Sequence, residues 1–334
     1  MESGSDVKIG IPDDYADMVR ALPCFGKLAG HEVVVWNDAE RDVDTLAARF
    51  ADLDALVLLR ERTRLPGALI QRLPRLKLIT INGPHPNIDV ETCTAQGVVI
   101  CVGHGRISYA TAELTWGLIL SSIRQIPQQV ERLRNGGWQS AVGTTLRGRT
   151  LGIIGFGKIG SVVASYGRAF GMNVLVWSRS KGIEAATQAG YETTTNRSEI
   201  FRRSDVVSLH VRYNKQTDSI VTADDLSLMR PDSLIVNTSR AGLIAPGALE
   251  AALRAGRPGF AAVDVYEQEP VPPSGHPLLS MQQAICTPHL GYVERDQMEA
   301  YFSDQFDRVL AFATGNPVDV EYPEALLVNR EPRA

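Results

Sequence analysis

The sequence has few cysteines, little net charge and no long apolar run. Its 334 residues include four cysteines without paired spacing, which favours reduced thiols over disulfides. The same spacing gives metal binding by cysteine little support, so we expect no metal. The net charge of −4 at pH 7 gives no electrostatic reason to expect nucleic acid or an anionic membrane as a partner. No apolar run approaches the roughly 20 residues that span a bilayer.

The first residues do not resemble a secretion signal. Residues 1–6 are polar or acidic and lack a cationic start and an apolar core, so we expect a cytoplasmic protein. The composition, with 44% hydrophobic and 22% charged residues, is that of an ordinary globular protein. The length favours two domains over one.

Short apolar runs alternate with helical stretches through the first hundred residues. Runs without polar alternation are typical of parallel strands covered on both faces, and the alternation predicts a doubly wound α/β layer. The predicted strands are 7–11, 32–36, 55–59 and 76–81, and the predicted helices are 15–22, 42–50 and 66–73.

The strand pattern starts again after a long predicted helix over 109–134. The later strands complete a six-stranded nucleotide-binding domain over 105–292. A last helix over 294–313 is then free to return to the first domain. The predicted later strands are 150–154, 173–177, 206–210, 233–237, 259–265 and 283–287.

A glycine cluster follows the first of these later strands. Gly155, Gly157 and Gly160 stand at G-x-G-x-x-G spacing between a strand and a predicted helix, which is the context of a dinucleotide-binding fingerprint. The first glycine permits the tight turn, the second lets the backbone approach a pyrophosphate, and the third lets the helix pack on the strand. The helix start, with Lys158 and Ile159, would present backbone N–H groups to the anion.

Three polar side chains follow later strands of this domain: Arg240, Glu269 and His289. Because ligands of open parallel sheets bind beyond the carboxyl ends of the strands, we expect these side chains to converge at the cofactor. Taken singly, each has a plainer interpretation, as a surface arginine, a solvated carboxylate or a structural histidine. Their joint placement behind the fingerprint favours a catalytic role.

These motifs carry a resemblance to a known family. Over nearly its whole length the chain resembles the D-2-hydroxyacid dehydrogenases, and most closely their phosphoglycerate dehydrogenase-like branch. The resemblance implies that Arg240, Glu269 and His289 form an Arg–Glu–His catalytic set. The motifs are GFGKIG at 155–160, NTSR at 237–240, DVYEQEP at 264–270 and TPHLG at 287–291.

The resemblance also implies the fold and the partners. The fold is two Rossmann-like doubly wound α/β domains, with the NAD(P)-binding domain at 105–292 inserted in a flavodoxin-like substrate domain formed by 1–104 and 293–334. The implied ligands are NAD(P) and a small 2-oxo or 2-hydroxy acid. The implied assembly is a homodimer.

The three side chains suit hydride transfer. Arg240 can hold the substrate carboxylate by bidentate, charge-assisted hydrogen bonds. His289 can give a proton to the ketone oxygen while the nicotinamide delivers hydride to carbon, and it is the base in the reverse direction. Glu269 would orient the imidazole ring and favour its protonated form.

The family implies further contacts along the cofactor. It places Asp264 on the nicotinamide amide, Thr111 near the nicotinamide end, and His210 and Thr238 along the molecule. A plainer interpretation of Asp264 is a strand-end carboxylate satisfied by backbone N–H groups.

Two segments of the first domain resemble substrate-binding segments of the family. Arg60 follows a strand and resembles an arginine that phosphoglycerate dehydrogenases place near the substrate phosphate, with a surface charge as the equal alternative. The loop that begins at Asn82 and Gly83 matches a loop whose backbone N–H groups hold the substrate carboxylate.

One expected side chain is missing from the cofactor site. The strand after the fingerprint should end in a carboxylate that binds the ribose hydroxyls, but it ends in Ser178, Arg179 and Ser180. Because a carboxylate would repel a 2′-phosphate, whereas serine and arginine would accept one, we expect NADP to be slightly favoured over NAD. In the alternative, Ser178 contacts the ribose of NAD, and Arg179 stacks on adenine or points to solvent.

The predicted function is an NAD(P)-dependent D-2-hydroxyacid dehydrogenase, or equivalently a 2-oxoacid reductase. Within this class, the alternative is an NADPH-dependent glyoxylate/hydroxypyruvate reductase, which the residues at 178–180 suggest. From another class, a related branch of the fold serves as a dinucleotide-sensing corepressor. The intact catalytic set argues against a purely binding role. Tight NADH binding without turnover of any 2-oxoacid would favour that role.

Overall fold

The computed structural model describes residues 6–103 and 109–328. The chain divides into two compact units, Met1–Arg106 with Arg295–Ala334, and Ile107–Glu294. The second unit is therefore inserted in the sequence of the first. The predicted boundary between 104 and 105 lies outside the described residues.

The first unit is built on a parallel sheet. Its described strands are β1 (Lys8–Ile11), β2 (Glu32–Val35), β3 (Ala55–Val57), β4 (Leu78–Asn82) and β5 (Val99–Gly103), and its first helices are α1 (Val43–Phe50), α2 (Gly67–Ile70) and α3 (Val90–Ala95). The strand order is β2-β1-β3-β4-β5, which is the flavodoxin-like order. Strands β3 and β4 are buried along their whole length, as their apolar runs predict. The fully buried strand β5 is a fifth strand, where four were predicted in this part of the chain.

The helix predicted over 15–22 is wrong. This segment forms short 3-10 helices at Val19–Ala21 and Pro23–Leu28 instead. Leu22 separates them in an extended conformation, because the ring of a following proline disfavours a helical conformation in the residue before it.

The second unit is built on a larger parallel sheet. Its described helices and strands are α4 (Tyr109–Ile123), α5 (Ile126–Arg134), β6 (Thr150–Ile154), α6 (Lys158–Ala169), β7 (Asn173–Trp177), α7 (Ser180–Gln188), β8 (Glu192–Thr193), α8 (Arg197–Arg203), β9 (Val206–Leu209), α9 (Ala223–Ser227), β10 (Leu234–Asn237), α10 (Ala248–Arg254), β11 (Phe260–Val263) and β12 (Ala284–Cys286). The strand order is β12-β11-β10-β9-β6-β7-β8. The order reverses between β6 and β9, and a ligand of such a sheet binds beyond the carboxyl ends of the strands at that point.

Two features of the second unit differ from the sequence prediction. The two-residue strand β8 is too short to carry a pattern, and it gives the described sheet seven strands where six were predicted. The helix predicted over 109–134 is two helices, α4 and α5. Gln125 between them has a φ of 51°. Pro127, in the first turn of α5, has no N–H to donate to the carbonyl four residues earlier, as a continuous helix would require.

The last helix, α11 (Arg295–Ala313), belongs to the first unit. Its buried face includes Met298, Phe302, Phe306 and Val309, which the sequence predicts to be core. The same face also buries three polar side chains, Tyr301, Gln305 and Arg308.

Candidate functional site

The glycine loop lies at the carboxyl end of β6. Gly155 has a φ of 98°, and a Cβ atom there would lie 2.7 Å from the carbonyl carbon of His210, so that glycine is required. A Cβ atom on Gly160 would collide with the carbonyl oxygen of Gly155. The two glycines therefore let α6 begin directly against the end of β6.

The start of α6 suits an anion. Its N-cap residue, Gly157, has no side chain to cap the helix, and among the described residues no atom lies within 4 Å of a Cβ placed there. The Ser161 N–H donates to the Gly157 carbonyl at 3.0 Å, which is the first hydrogen bond of the helix. The N–H groups of Lys158, Ile159 and Gly160 precede this bond, so they have no acceptor within the helix. Together with the positive end of the helix dipole, they fit the pyrophosphate of a dinucleotide.

Ser178 follows β7 and is tied to the glycine loop. Its hydroxyl accepts the N–H of Phe156 at 3.2 Å. Arg179 is the exposed N-cap residue of α7, and Ser180 is the exposed first residue of that helix. The position of the missing carboxylate is therefore taken by a small hydroxyl beside an exposed cation and a helix start, which is an electropositive setting.

His210 follows β9 and is uncharged at neutral pH. Burial lowers the pKa of His210 to about 4. Its Nε2 lies 2.8 Å from the hydroxyl of Ser208, and its backbone N–H donates to the carbonyl of Ile154 at 2.7 Å. Any contact of His210 with a cofactor is therefore that of a neutral hydrogen-bonding group.

Glu269 and His289 form a close pair. The Glu269 Oε2 lies 2.5 Å from the His289 Nδ1, and the Tyr266 N–H donates to the Glu269 Oε1 at 2.9 Å. Burial raises the pKa of the Glu269 carboxyl, but the hydrogen bond to His289, the N–H of Tyr266 and the charge of Arg240 outweigh it and lower that pKa overall. Both carboxylate oxygens are thus engaged, and the ring is oriented with its Nε2 as the remaining nitrogen.

A buried carboxylate fixes the backbone around His289, which itself has a φ of 52°. Asp264, after β11, accepts the Thr287 hydroxyl at 2.6 Å and the N–H groups of Leu290 and Gly291 at 2.8 and 2.9 Å. Burial raises the pKa of Asp264, and these hydrogen bonds and the charge of His289 counteract the rise. The plainer interpretation of Asp264, a carboxylate satisfied by backbone groups, thus describes its contacts. Its role toward a nicotinamide remains a prediction.

Two threonines join α4 to this edge of the sheet. The Thr111 hydroxyl donates to the Gly291 carbonyl at 2.7 Å. The Thr238 hydroxyl lies 2.8 Å from that of Thr115, which in turn donates to the Thr111 carbonyl. Both predicted threonines therefore form hydrogen bonds within the unit, Thr111 with backbone and Thr238 with a side chain.

Arg240 lies just beyond β10. The side-chain amide of Asn237 donates to the Arg240 carbonyl at 2.9 Å, and the guanidinium donates to the Ser239 carbonyl at 2.7 Å. The resemblance implies a glycine after this arginine, where the chain has Ala241. Because Ala241 begins a short 3-10 helix at Ala241–Leu243, the position does not need a positive φ and alanine is accommodated.

The structure therefore brings Arg240, Glu269 and His289 to one edge of the second unit. The predicted substrate residues Arg60, Asn82 and Gly83 lie in the first unit. Arg60 has a φ of 60°, and its N–H donates to the Tyr301 hydroxyl at 2.9 Å.

Arg62, two residues further on, donates to the Asp13 carbonyl at 2.7 Å. Its guanidinium also stacks over the ring of Tyr15, 4.4 Å from the centroid. Arg62 therefore links the loop after β3 to the segment after β1.

The loop after β4 offers fewer donors than the resemblance implies. The Asn82 side chain is buried, and its amide donates to the Tyr301 carbonyl at 3.1 Å while its oxygen accepts from Arg308 at 2.8 Å. The Gly83 N–H donates to the Gly103 carbonyl at 2.9 Å. Pro84 and Pro86 have no N–H. A substrate carboxylate in this loop would therefore depend on the remaining N–H groups.

Sequence patterns missed Tyr266 and Tyr301, which hold site residues through hydrogen bonds. Tyr266 lies inside a quoted motif, and its hydroxyl donates to the Thr287 carbonyl at 3.1 Å. Tyr301 lies on a helix far away in sequence, where no local signal indicates a partner.

Residues 6–103 and 109–328 hold no group of three or more histidine, cysteine or carboxylate side chains that could bind a metal ion. In the same parts of the chain, none of the helices combines the length and hydropathy needed to span a bilayer.

Comparison with known proteins identifies the class. Residues 116–291, more than half of the chain, match the model of the D-isomer specific 2-hydroxyacid dehydrogenase NAD-binding domain. The chain is 33% identical to the glyoxylate reductase of Aeropyrum pernix over 85% of its own length and 88% of that protein. It is 36% identical to the D-3-phosphoglycerate dehydrogenase of Methanocaldococcus jannaschii over 91% of its own length, but spans only 57% of that relative.

A solved structure agrees with this class. The crystal structure of a phosphoglycerate oxidoreductase from Vibrio cholerae O395 matches with a TM-score of 0.89 and 46% identity, covering 92% of this chain and 99% of that one. The chain therefore belongs to the D-isomer-specific 2-hydroxyacid dehydrogenase family, a family of oxidoreductases with an NAD-binding domain. The predicted family and the predicted α/β fold are confirmed.

Proposed function

We propose that the chain is an NAD(P)-dependent D-2-hydroxyacid dehydrogenase that also acts as a 2-oxoacid reductase, with His289 as its acid and base. The observation that carries the proposal is the 2.5 Å contact between His289 and Glu269, whose second oxygen is held by the Tyr266 N–H. An ionised Glu269 accepts the Nδ1 proton of the ring. The exchangeable proton then resides on Nε2, which faces away from Glu269.

In the direction of reduction, His289 gives its Nε2 proton to the oxygen of the 2-oxo group. The hydride for carbon 2 would come from a nicotinamide held by the second unit, and it would return there in the other direction. Arg240 holds the substrate carboxylate with a planar pair of N–H donors, so that the oxo group lies next to the histidine. When a 2-hydroxy acid is oxidised, the same nitrogen takes the hydroxyl proton.

The cofactor is held by the second unit in this proposal. The glycine loop and the start of α6 take the pyrophosphate, and His210, Thr238, Asp264 and Thr111 line the rest of the path. The exposed Arg179 at the start of α7 and the absence of an acid at 178–180 support a preference for NADP.

Besides Arg240, residues of the first unit contact the substrate in this proposal. Arg60 binds a distal anionic group, as in a phosphoglycerate dehydrogenase-like enzyme, and the remaining N–H groups of the loop that begins at Asn82 and Gly83 share the carboxylate with Arg240. The second candidate is a glyoxylate/hydroxypyruvate reductase that uses NADPH, and the name of the Aeropyrum relative, glyoxylate reductase, supports glyoxylate as its oxo acid.

The decisive experiment is a turnover screen of the purified chain, followed at the nicotinamide absorbance. Glyoxylate, hydroxypyruvate, pyruvate and phosphohydroxypyruvate are each tested with NADH and with NADPH. The proposal expects reduction of at least one acid. Tight NADH binding without turnover of any acid would overturn it and favour a dinucleotide-sensing binding protein.

The first prediction concerns His289. Replacing His289 by Ala should lower kcat by about 100- to 10,000-fold, because the reaction loses its acid and base. Dinucleotide affinity, measured by nicotinamide fluorescence, should stay within about twofold, since the glycine loop is untouched. A wild-type kcat in this variant would contradict the mechanism.

The chain offers a matched pair of carboxylates to test the orienting role. Glu267 lies two residues before Glu269 and also contacts a histidine, His276, at 3.1 Å. Glu269→Gln should lower kcat, whereas Glu267→Gln should leave it unchanged. Equal losses in the two variants would show that the loop, and not the Glu269–His289 pair, carries the effect.

The proposal extends to the location and the assembly. We propose a reducing, cytoplasmic setting, supported by four free cysteines, of which Cys24, Cys93 and Cys101 are buried. Burial raises the pKa of Cys93 to about 12, which keeps this thiol protonated and unreactive. We also propose a homodimer, supported by exposed apolar side chains on and after α5.

A further inference from the structure

The inner face of α11 carries polar side chains where a core helix normally carries apolar ones. Tyr301, Gln305 and Arg308 follow each other at helical spacing and are 7%, 0% and 6% exposed. Burying such groups is unfavourable unless they form hydrogen bonds. Two of the three, Tyr301 and Arg308, bond to segments that follow strands of the sheet.

The Tyr301 hydroxyl bridges the turn after β3. It accepts the N–H of Arg60 at 2.9 Å and donates to the carbonyl of Leu58 at 3.2 Å. The hydroxyl thus links Leu58 to Arg60, and Arg60 has a φ of 60°. Residues other than glycine rarely adopt such a φ without support from the surrounding structure. The hydroxyl thus fixes the backbone from which the Arg60 side chain extends.

The backbone of the same tyrosine holds the loop after β4. The Asn82 amide donates to the Tyr301 carbonyl at 3.1 Å, and Arg308 donates to the Asn82 oxygen at 2.8 Å. Arg308 is held in turn by Asp319 at 2.8 Å. One residue of α11 therefore contacts both predicted substrate segments, the first through its hydroxyl and the second through its carbonyl.

We propose that Tyr301 is a positioning residue that sets the direction of Arg60 and thereby the recognition of the distal anionic group of the substrate. The inference rests on the proposed role of Arg60. The division of contacts within Tyr301 makes the inference specific, because removing the hydroxyl affects the Arg60 segment and leaves the contact with Asn82 in place.

The test is Tyr301→Phe, which removes the hydroxyl and keeps the ring and the carbonyl. Losing the two hydrogen bonds of this hydroxyl, to the Arg60 N–H and the Leu58 carbonyl, should raise the KM for phosphohydroxypyruvate about tenfold. The KM for glyoxylate, which has a carboxylate and no distal anion, should change less than about twofold. Ser303→Ala is the control, since it also removes a hydroxyl from α11. The Ser303 hydroxyl accepts a hydrogen bond from Lys27, not from a residue of either predicted substrate segment.

Purely structural damage gives a different result. It would lower kcat for both acids equally through a smaller active fraction, with both KM values unchanged. That outcome, or an equal rise of both KM values, would overturn the inference.

Coupling to Arg60 completes the test. Arg60→Met should raise the same KM selectively, and the double variant should be no worse than Arg60→Met alone. Additive effects in the double variant would show that Tyr301 does not act through Arg60. If the wild-type chain reduces no 2-oxoacid, the proposed function fails. If it reduces them and Tyr301→Phe behaves as wild type, only this inference fails.

Discussion

At the scale of single residues, Ser178 replaces an expected carboxylate and changes the chemistry of the site without changing its strand, loop and helix. The strand end, the glycine loop and the helix start are those of a dinucleotide site, and the Ser178 hydroxyl ties them together through the Phe156 N–H. In the proposed cofactor site, Ser178 takes the place of a carboxylate that would repel a 2′-phosphate. The sequence alone predicts this difference, since it depends on residue type at a known position.

Replacing Ser178 by Asp tests the cofactor preference. The carboxylate should lower the ratio of kcat/KM with NADPH to kcat/KM with NADH by about tenfold or more, through repulsion of the 2′-phosphate. The two constants are measured with the best acid of the screen. Ser165→Asp, on the exposed face of α6, adds the same charge to the same unit and should leave the ratio unchanged. A wild-type enzyme that strongly prefers NADH would contradict the proposed preference at once.

At the scale of elements, strands were easier to predict than helices. The short apolar runs of β4, β6 and β9 favour strands, because runs of this kind are typical of parallel strands buried on both faces. β8 has two residues and no pattern, and the helix predicted over 15–22 ignored the effect of Pro23 on the residue before it. The division of 109–134 into α4 and α5 is another proline effect, which a prediction from apolar periodicity alone misses.

The end of β9 carries a prediction about pH. The pKa of His210 is about 4 in the folded chain and about 6.5 when the group is free, so between these values the unfolded chain binds more protons. The free energy of unfolding should therefore fall as the pH falls from 6.5 toward 4, with His210 contributing about 2 kcal/mol of loss at pH 5.

Urea unfolding without cofactor at pH 7 and pH 5 measures this contribution. Other groups also titrate in this range, so the comparison is between variants. His210→Gln should lose less stability than the wild type over this interval. Identical losses in the wild type and His210→Gln would contradict the assignment.

At the scale of the whole molecule, the second unit is more predictable than the first. Its site residues follow parallel strands, and the carboxyl ends of such strands share one edge, so sequence order suffices to group Arg240 with His289. In the first unit, the contacts of Arg60 and Asn82 depend on Tyr301, more than 200 positions away. No local pattern encodes a hydrogen bond across that separation, and the buried polar face of α11 became visible only in the fold.

The exposed apolar side chains of the second unit carry the prediction about assembly. They lie on α5 and in the segment after it, and they include Ile126, Val130, Leu133, Trp138 and Val142. The first three stand at helical spacing on one face of α5, so they form a stripe of the kind that a second copy of the chain can cover.

Light scattering coupled to size exclusion should give the wild-type chain about twice its monomer mass of 36.4 kDa. The double variant Leu133→Glu, Trp138→Glu should shift to the monomer mass, because two carboxylates cannot be buried in an apolar contact without a large desolvation penalty. Leu327→Glu is the matched control, since Leu327 is 82% exposed and lies in the other unit, and it should leave the mass unchanged. A monomeric wild type would contradict the homodimer, and a dimeric double variant would place the interface on another surface.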